Sequence, residues 1–222
     1  LFTRNLVAWP GIAHIEDRDF SAVIEAALAA PGFTDSVKTG EHMVGFGHDA
    51  VLGAADKIIG AVKAGEIKHF AVIGGCDGSE GERSYYTDLG TTIPNDWVIL
   101  TLGCGKYRLL GHDYGTVAGL PRLLDMGQCN DSFSAVKVAL ALADAFGCTV
   151  NDLPLSIVLS WFEQKAVCVL LALLHLNVKN IRIGPRLPAF LTPAVLKVLV
   201  DTFGLKPVGE VETDLKAMAN AA

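Results

Sequence analysis

The chain has 222 residues, of which 51% are hydrophobic and 19% are charged, and this composition excludes an intrinsically disordered protein. The formal net charge of −6 argues against a nucleic-acid-binding face, which requires clustered lysine and arginine. The longest apolar stretch, residues 166–176, is too short to span a membrane, so we expect no membrane partner. Five cysteines in a chain of this size favour metal or redox chemistry in a reducing compartment over a disulfide scaffold.

The first predicted elements form a short N-terminal region. A Pro10-Gly11 turn precedes a helix expected over about 19–30, and small and polar residues follow up to about Gly40. We therefore predict that residues 1–35 are the tail of a preceding domain or an N-terminal extension. Residues 36–222 are predicted to form a C-terminal α/β domain. Because the chain starts with leucine, we expect it to be part of a longer or processed protein.

After this boundary, short apolar strands alternate with helices. In chain order we predict helix 49–64, strand 69–73, helix 82–89, strand 97–102, strand 122–126, a helix from 130 or 131 to 146, strand 155–159, helix 160–176, strand 181–183, helix 193–202, strand 207–211 and helix 213–219. This alternation predicts an α/β fold with a doubly wound, mostly parallel open sheet, Rossmann-like, with helices on both faces. Ligands of such sheets bind outside the carboxyl ends of the strands.

Three cysteines follow three successive predicted strands. Cys76 lies in a glycine-rich turn, and Cys104 and Cys129 each come directly after the next two strands. One such cysteine alone is as well explained as a small buried hydrophobe. Three at strand ends favour a metal or cluster site, since thiolates suit iron–sulfur ligation and glycine turns leave room for an inorganic group. The spacing matches no short zinc or ferredoxin pattern.

The next strand-to-helix turn adds Glu163 at the same edge, with Lys165 two residues later. Ser160 to Glu163 also fits a capping box, in which the glutamate returns to the N-cap amide, and for Glu163 alone this interpretation is the stronger one. As a ligand, Glu163 would direct a carboxylate into the same crevice. Lys165 is either a solvated helix charge or, beside a metal centre, a proton donor.

The remaining cysteines and motifs favour no second site. Cys148 follows a helix end and Cys168 lies inside an apolar helix, so we interpret both as structural. The six histidines have no ligand spacing. The chain contains neither a dinucleotide-binding glycine fingerprint nor a phosphate-binding loop, so a nucleotide site is weakly supported.

Four segments closely resemble the hybrid cluster protein family, also called prismane protein or hydroxylamine reductase, which is distantly related to carbon monoxide dehydrogenases. The segments are Gly74-Gly75-Cys76-Asp77-Gly78, Leu102-Gly103-Cys104-Gly105-Lys106-Tyr107-Arg108, residues 119–131 around Gly127-Gln128-Cys129-Asn130-Asp131, and Ser160-Trp161-Phe162-Glu163-Gln164-Lys165-Ala166-Val167. The resemblance runs along most of the chain, including Trp9-Pro10-Gly11 and Gly45-Phe46-Gly47.

The resemblance implies a role for each candidate residue. Members of this family hold a hybrid iron–sulfur–oxygen cluster with open iron coordination and reduce hydroxylamine to ammonia. Nitric oxide reduction has also been proposed. By position, Cys76 resembles the persulfide-bearing ligand, Cys104 and Cys129 the next two thiolate ligands, and Glu163 the carboxylate ligand, while Lys165 is the lysine of the Glu-x-Lys motif. Glu163 and Lys165 are the expected catalytic residues.

The family pattern also includes upstream parts that this sequence does not contain. These are a cysteine-bound cubane iron–sulfur cluster and three further hybrid-cluster ligands, a histidine, a glutamate and a cysteine. We therefore expect the chain to be the C-terminal part of a longer enzyme, with missing N-terminal domains and an electron donor protein as partners. Alone, it is expected to be inactive and to bind no cluster or a labile one. The expected location is the cytoplasm or another reducing compartment, an organelle included.

Two other functions remain open at this level. One is a non-catalytic Rossmann-like module that binds a nucleotide or another protein. The other is carbon monoxide dehydrogenase-like chemistry, although the segments 127–131 and 163–165 favour the hybrid cluster family.

Overall fold

The computed structural model describes residues 1–35, 40–75, 78, 83–160, 164–188 and 190–220. Contacts divide the chain into two compact units, Leu1–Glu41 and His42–Ala222. The functional division between residues 35 and 36 stays a prediction.

The strands are β1 Phe2–Arg4, β2 Ala13–Ile15, β3 His69–Gly74, β4 Trp97–Thr101, β5 Thr116–Val117, β6 Leu120–Pro121, β7 Leu123–Asp125, β8 Leu155–Leu159, β9 Arg182–Ile183 and β10 Lys206–Pro207. The α-helices are α1 Ser21–Ala29, α2 His48–Leu52, α3 Ala55–Lys63, α4 Tyr85–Thr92, α5 Ser132–Phe146, α6 Gln164–His175, α7 Pro193–Phe203 and α8 Val211–Ala219. Short 3-10 helices cover Cys104–Arg108, Cys129–Asp131 and Val150–Asp152. Within the described ranges, no helix is long and apolar enough to cross a membrane.

The N-terminal unit is built around a two-stranded parallel pair. β1 pairs with β2, and Thr3 Oγ1 shares a hydrogen bond of 3.0 Å with His14 Nδ1 across the pair. The guanidinium of Arg4 lies 5.3 Å from the ring centroid of Phe20. Helix α1 has no buried residue, so its apolar side chains add little to the core of this unit.

The second unit contains a six-stranded sheet in the order β10-β9-β8-β3-β4-β7, and every neighbouring pair is parallel. β3 lies at its centre, with Phe70 in register with Val98 of β4 and Leu155 of β8. The predicted parallel α/β sheet is therefore confirmed.

Both faces of the sheet are covered, because successive residues of a strand point to opposite faces. Phe70 and Val72 of β3 belong to a core cluster that includes residues of α3, α5 and α6. Ala71 and Ile73 belong to a second cluster with residues of α4 and α8. Burial on both faces explains why the strands are continuous apolar runs in the sequence, and it confirms the doubly wound arrangement.

Several predicted boundaries differ from the structure. The single helix predicted over 49–64 is two helices, α2 and α3, separated at Gly53 and Ala54, and glycine is a poor helix former. Helix α4 begins at Tyr85 rather than at residue 82. The final strand covers Lys206–Pro207 rather than 207–211, and α8 begins at Val211 rather than at residue 213. Residues 161–163, predicted as the first turn of α6, lie outside the described residues.

Candidate metal centre

The carboxyl ends of four neighbouring parallel strands meet at one edge of the sheet. In space these strands follow the order β8, β3, β4, β7. The segments after them contain Glu163, Cys76, Cys104 and Cys129 in that same order. Cys104 and Cys129 are described by the structure, whereas Cys76 and Glu163 lie outside the described residues.

Gly75, the residue before Cys76, packs closely against the end of strand β8. A Cβ atom on Gly75 would lie 2.7 Å from the amide nitrogen of Ser160 and would overlap the ring of Tyr86. That ring is buried, and its hydroxyl donates to the carbonyl oxygen of Gly184 at 2.7 Å, so it is held in place. Glycine is therefore required here by space. The segments that lead to Cys76 and Glu163 begin side by side.

The sulfur of Cys129 lies beside the backbone that leads to Cys104. Gly103 has φ 72° and ψ −165°, and a Cβ atom on it would lie 3.0 Å from Cys129 Sγ. Both the left-handed φ and the close sulfur favour glycine. The amide of Gly103 also donates to the carbonyl oxygen of Gly127 at 3.0 Å. The loops after β4 and β7 are thus in direct contact at the two cysteines.

The two thiols differ in their access to solvent. Cys104 is exposed and Cys129 is half-buried. No disulfide joins the four cysteines that lie within the described part of the chain. Cys104 and Cys129 therefore form no disulfide with each other or with Cys148 or Cys168.

A buried ion pair connects the two cysteine loops. Lys106 Nζ lies 3.0 Å from both carboxylate oxygens of Asp125, and only 8% and 2% of the two side chains are exposed. Asp125 Oδ1 also accepts the amide hydrogen bond of Gly127 at 2.9 Å. The pair therefore links the 3-10 helix that starts at Cys104 to the turn that leads to Cys129.

The same 3-10 helix also contacts the loop of Cys76. Arg108 Nη2 donates to the carbonyl oxygen of Gly78 at 2.8 Å. Gly78 is two residues beyond Cys76, so this bond joins the loops after β3 and β4. The residues Cys104–Arg108 thus contact both neighbouring loops at the sheet edge.

The Cys129 loop is further fixed by its own turn and by helix α2. Asp131 Oδ2 accepts the amide hydrogen bond of Gln128 at 2.6 Å. The amide of Phe46 donates to the carbonyl oxygen of Asp125 at 3.0 Å. His48 Nδ1 shares a hydrogen bond of 3.0 Å with Ser134 Oγ, at the start of α5. Cys129 therefore lies between two anchored segments.

The other sequence-predicted residues have simpler surroundings. Lys165 is exposed in the first turn of α6. Cys148 is half-buried, and Cys168 is an exposed residue of helix α6, the helix predicted to contain it. Within the described ranges, no three histidine, cysteine, aspartate or glutamate side chains form a group able to hold a metal ion. Two of the four candidate ligands, Cys76 and Glu163, are outside those ranges.

Sequence reasoning assigned no role to Lys106, Asp125 or Arg108. A signal for the first two was nonetheless present. Lys106 follows a Gly-Cys-Gly turn and Asp125 ends an apolar strand, so both charges occur where the chain is otherwise apolar. Charged residues are rarely buried unless they are paired, and two of opposite sign at neighbouring strand ends indicate such a pair.

Comparison with known proteins assigns the chain to a group of related sequences. Residues 1–216 match the profile of the Prismane/CO dehydrogenase family. A protein named hydroxylamine reductase from Zymomonas mobilis is 61% identical over 222 residues, which are 100% of this chain and 41% of that protein. A protein of the same name from Rhodospirillum rubrum is 64% identical, over 100% of this chain and 40% of that protein. The chain thus spans about two fifths of the length of these relatives.

Solved structures with the same fold are more distant in sequence. Carbon monoxide dehydrogenase IV from Carboxydothermus hydrogenoformans has a TM-score of 0.79 at 15% identity, over 99% of this chain and 44% of that chain. The carbon monoxide dehydrogenase from Thermococcus sp. AM4 has a TM-score of 0.73 at 22% identity, over 99% of this chain and 41% of that chain. These similarities support the α/β fold.

Proposed function

The chain belongs to the Prismane/CO dehydrogenase family, and from this premise we propose that it is the C-terminal part of an iron–sulfur oxidoreductase that reduces hydroxylamine to ammonia. The observation that supports this most directly is the identity of 61% and 64% to two hydroxylamine reductases over the whole chain. The identity to the carbon monoxide dehydrogenases of the same fold is only 15% and 22%. Hydroxylamine reduction is therefore favoured over carbon monoxide chemistry.

The described residues fit an iron–sulfur group at the sheet edge. Cys129 Sγ lies against Gly103, the residue next to Cys104, and no disulfide joins the two cysteines. Soft thiolate ligands suit iron in such clusters. Glycines at positions 75, 103 and 127 allow the loops to pack closely at this edge, since a Cβ atom on them would crowd Tyr86, Cys129 Sγ and Asp131 respectively. The donor chemistry of the two thiols is consistent with the proposed cofactor.

In this proposal Cys76, Cys104, Cys129 and Glu163 are the ligands that this chain gives to a hybrid iron–sulfur–oxygen cluster, with Cys76 as the persulfide-bearing one. When bound, this cluster supplies Lewis acidity and two electrons for cleavage of the N–O bond. The overall reaction takes hydroxylamine, two electrons and two protons to ammonia and water. The chain itself contributes the thiolates, a carboxylate and a proton source.

Proton delivery is the proposed role of Lys165. Its side chain is exposed in the first turn of α6, two residues beyond Glu163 in the sequence. A positioned ammonium group donates a proton efficiently to a developing nitrogen or oxygen leaving group. Glu163 is two residues before Lys165 in the sequence and is proposed to act at the metal centre itself. Lys165 and Glu163 are the proposed catalytic residues of this segment.

The proposal requires further parts of the protein. The relatives are more than twice as long as this chain, and we assign the remaining cluster ligands and a cubane iron–sulfur cluster to N-terminal domains. Electrons are proposed to arrive through that second cluster from a donor protein. Thiolate ligands persist in a reducing environment, so the cytoplasm or a comparable organelle compartment is the proposed location.

The activity is tested in the full-length protein, purified without oxygen, by measuring ammonia formed from hydroxylamine with a reduced viologen dye. Alanine substitutions of Cys104 or Glu163 are expected to lower this rate by more than about 100-fold, since metal activation supplies several kcal/mol. The matched control is Cys168→Ala, an exposed cysteine outside the proposed site. Unchanged activity and iron content in Cys104→Ala and Glu163→Ala would remove both residues from the site and leave Glu163 as a helix cap.

The substrate is tested with the same protein. Nitric oxide and carbon monoxide are offered in parallel with hydroxylamine under identical reducing conditions. Hydroxylamine is expected to give the highest kcat/KM, and nitric oxide turnover would extend the proposal. Carbon monoxide oxidation without hydroxylamine reduction would replace it with dehydrogenase chemistry. No redox turnover and no iron would favour a non-catalytic module.

The dependence on the rest of the protein is tested with residues 1–222 alone. Anaerobic reconstitution with iron and sulfide is expected to give a labile, substoichiometric cluster without activity, because the proposed ligand set is incomplete. Iron and sulfide analysis after gel filtration measures this. A stable and stoichiometric hybrid-type cluster on this chain alone contradicts the proposed division of ligands.

A further inference from the structure

The ion pair between Lys106 and Asp125 is unusual in its burial. The residues are 6% and 1% exposed, and the ammonium group lies 3.0 Å from both carboxylate oxygens. Removing two charges from water costs several kcal/mol per ion, and the attraction between them repays this only with good geometry and extra hydrogen bonds. Such a pair is weak evidence for stability, so its position in the fold is the more informative property.

That position is between two candidate metal-binding loops. Lys106 is two residues after Cys104, in the same 3-10 helix, and Asp125 is four residues before Cys129, at the end of β7. Asp125 is held in turn by the amide of Gly127, which donates to its carboxylate, and by the amide of Phe46, which donates to its carbonyl oxygen. A shift of either loop would separate the two charges in a low-dielectric interior.

We propose that Lys106 and Asp125 are positioning residues, which hold the thiols of Cys104 and Cys129 at the spacing needed to share one metal centre. The Cys129 sulfur beside Gly103 is the result of this arrangement. The identity of the shared centre rests on the proposed function, but the spacing of the thiols does not. The buried pair thus serves the site rather than the stability of the sheet.

The test uses the full-length protein after its metal has been removed by a chelator. In Lys106→Met/Asp125→Asn the charges are absent, and an amide oxygen remains for Gly127. A single substitution at Lys106 would leave a buried carboxylate without compensation, and such changes destabilise strongly. Asp125→Asn alone is the second variant: it keeps the shape of the side chain and the acceptor for Gly127, but it leaves the Lys106 ammonium group buried without a counter-charge.

The matched control is another buried ion pair beside the sheet, the one between Arg182 and Asp214. Arg182 Nε lies 3.1 Å from Asp214 Oδ1, with 7% and 11% of the side chains exposed, and this pair joins β9 to helix α8. Arg182→Met/Asp214→Asn therefore removes a comparable pair that connects no cysteine loop. Melting temperatures of both double variants report any general loss of stability.

The readout is bridging of Cys104 and Cys129 by phenylarsine oxide. This reagent forms two arsenic–sulfur bonds with two thiols at the correct spacing and releases its oxygen as water, with no change in oxidation state. Peptide mass spectrometry identifies the bridged pair. Alkylation by iodoacetamide, which needs only one thiol, measures the accessibility of each cysteine separately.

The wild-type protein and the Arg182/Asp214 double variant are expected to bridge Cys104 to Cys129. The Lys106/Asp125 double variant is expected to bridge them about 10- to 100-fold more weakly, by analogy with other partners that orient metal ligands. Its alkylation rates are expected to stay near those of the wild type. Asp125→Asn is expected to weaken bridging at least as much as the double variant does, because it leaves an unpaired charge between the two loops.

Three results overturn the proposal: no bridge in the wild type, wild-type bridging in both the Lys106/Asp125 double variant and Asp125→Asn, or an equal loss in the Arg182/Asp214 control. The proposed function fails separately, if the intact wild-type protein binds no iron or reduces no hydroxylamine. A protein that bridges the thiols as expected and yet binds no iron supports the positioning role and refutes the cluster.

Discussion

At the scale of single residues, two glycines that directly precede cysteines are tightly constrained at the sheet edge. Gly75 is required by the contact with Tyr86 and Ser160, and Gly103 by its φ of 72° and the nearby sulfur of Cys129. The sequence shows glycine at both places but cannot distinguish these causes, because both depend on neighbouring strands. Each of these glycines thus helps to set the backbone path that leads to the next cysteine of the candidate site.

Substituting Gly75 with alanine is expected to lower the free energy of unfolding by about 1–3 kcal/mol, because the new methyl group would be forced against a ring fixed by its own hydrogen bond. Gly111→Ala is the control, since a Cβ atom there meets nothing within 4 Å and its φ is not left-handed. Urea unfolding measures both variants. Equal stability of Gly75→Ala and the wild type would show that the strand end moves freely.

At the scale of elements, hydrophobic periodicity predicted the sheet well because buried parallel strands are continuous apolar runs. The division of the predicted helix 49–64 into α2 and α3 was missed, since the apolar spacing continues across Gly53. Strands β4 and β7, which precede Cys104 and Cys129, were predicted to within one residue at each end. The Lys106–Asp125 ion pair that connects the two loops was not predicted. Which side chains of distant segments meet depends on the order of the strands in the sheet. The hydrophobic periodicity within one segment contains no information on that order.

One such connection between elements is measurable as a coupling energy. His48, which begins α2, and Ser134, in the first turn of α5, share a hydrogen bond of 3.0 Å over 86 positions of sequence. A double-mutant cycle with alanine at both positions is expected to give about 1 kcal/mol. The exposed pair Lys197 and Asp201 in α7 is the control, with an expected coupling of about 0.3 kcal/mol. A coupling at or below that of the control would mean that α2 and α5 are held by apolar packing alone.

At the scale of the whole molecule, the six-stranded parallel sheet brings the candidate ligand segments to one edge. The sheet buries apolar residues on both faces, and its carboxyl edge gathers four segments with candidate ligands. The segments at this edge are held by specific polar contacts, which include Lys106 with Asp125 and Arg108 with Gly78. The relatives contain more than twice as many residues, and the proposed function assigns the remaining ligands to that additional part.

The free energy of unfolding of the domain that contains the six-stranded sheet is expected to depend on pH through His69, the first residue of β3. Its ring is 3% exposed, packs on Trp97 at 4.0 Å between centroids and shares a hydrogen bond of 2.9 Å with Ser156. Burial lowers the pKa of His69 from 6.5 to about 4. Well above pH 6.5 the imidazole is neutral in both the folded and the unfolded chain, so His69 adds no pH dependence to the free energy of unfolding in that range. Between pH 6.5 and about 4 the unfolded chain binds a proton that the folded chain excludes, so the free energy of unfolding falls as the pH falls.

The expected loss from this single residue is about 1 kcal/mol at pH 5.5 relative to pH 7.5. His69→Gln removes the titrating ring, and its free energy of unfolding is expected to fall by that much less over the same interval. Urea unfolding of the metal-free protein at the two pH values measures the difference. His112→Gln, at an exposed histidine, is expected to keep the wild-type pH dependence. If His69→Gln lost as much stability as the wild type between these pH values, the ring would be protonated within the folded sheet, and the base of β3 would have to open to water to accommodate the charge.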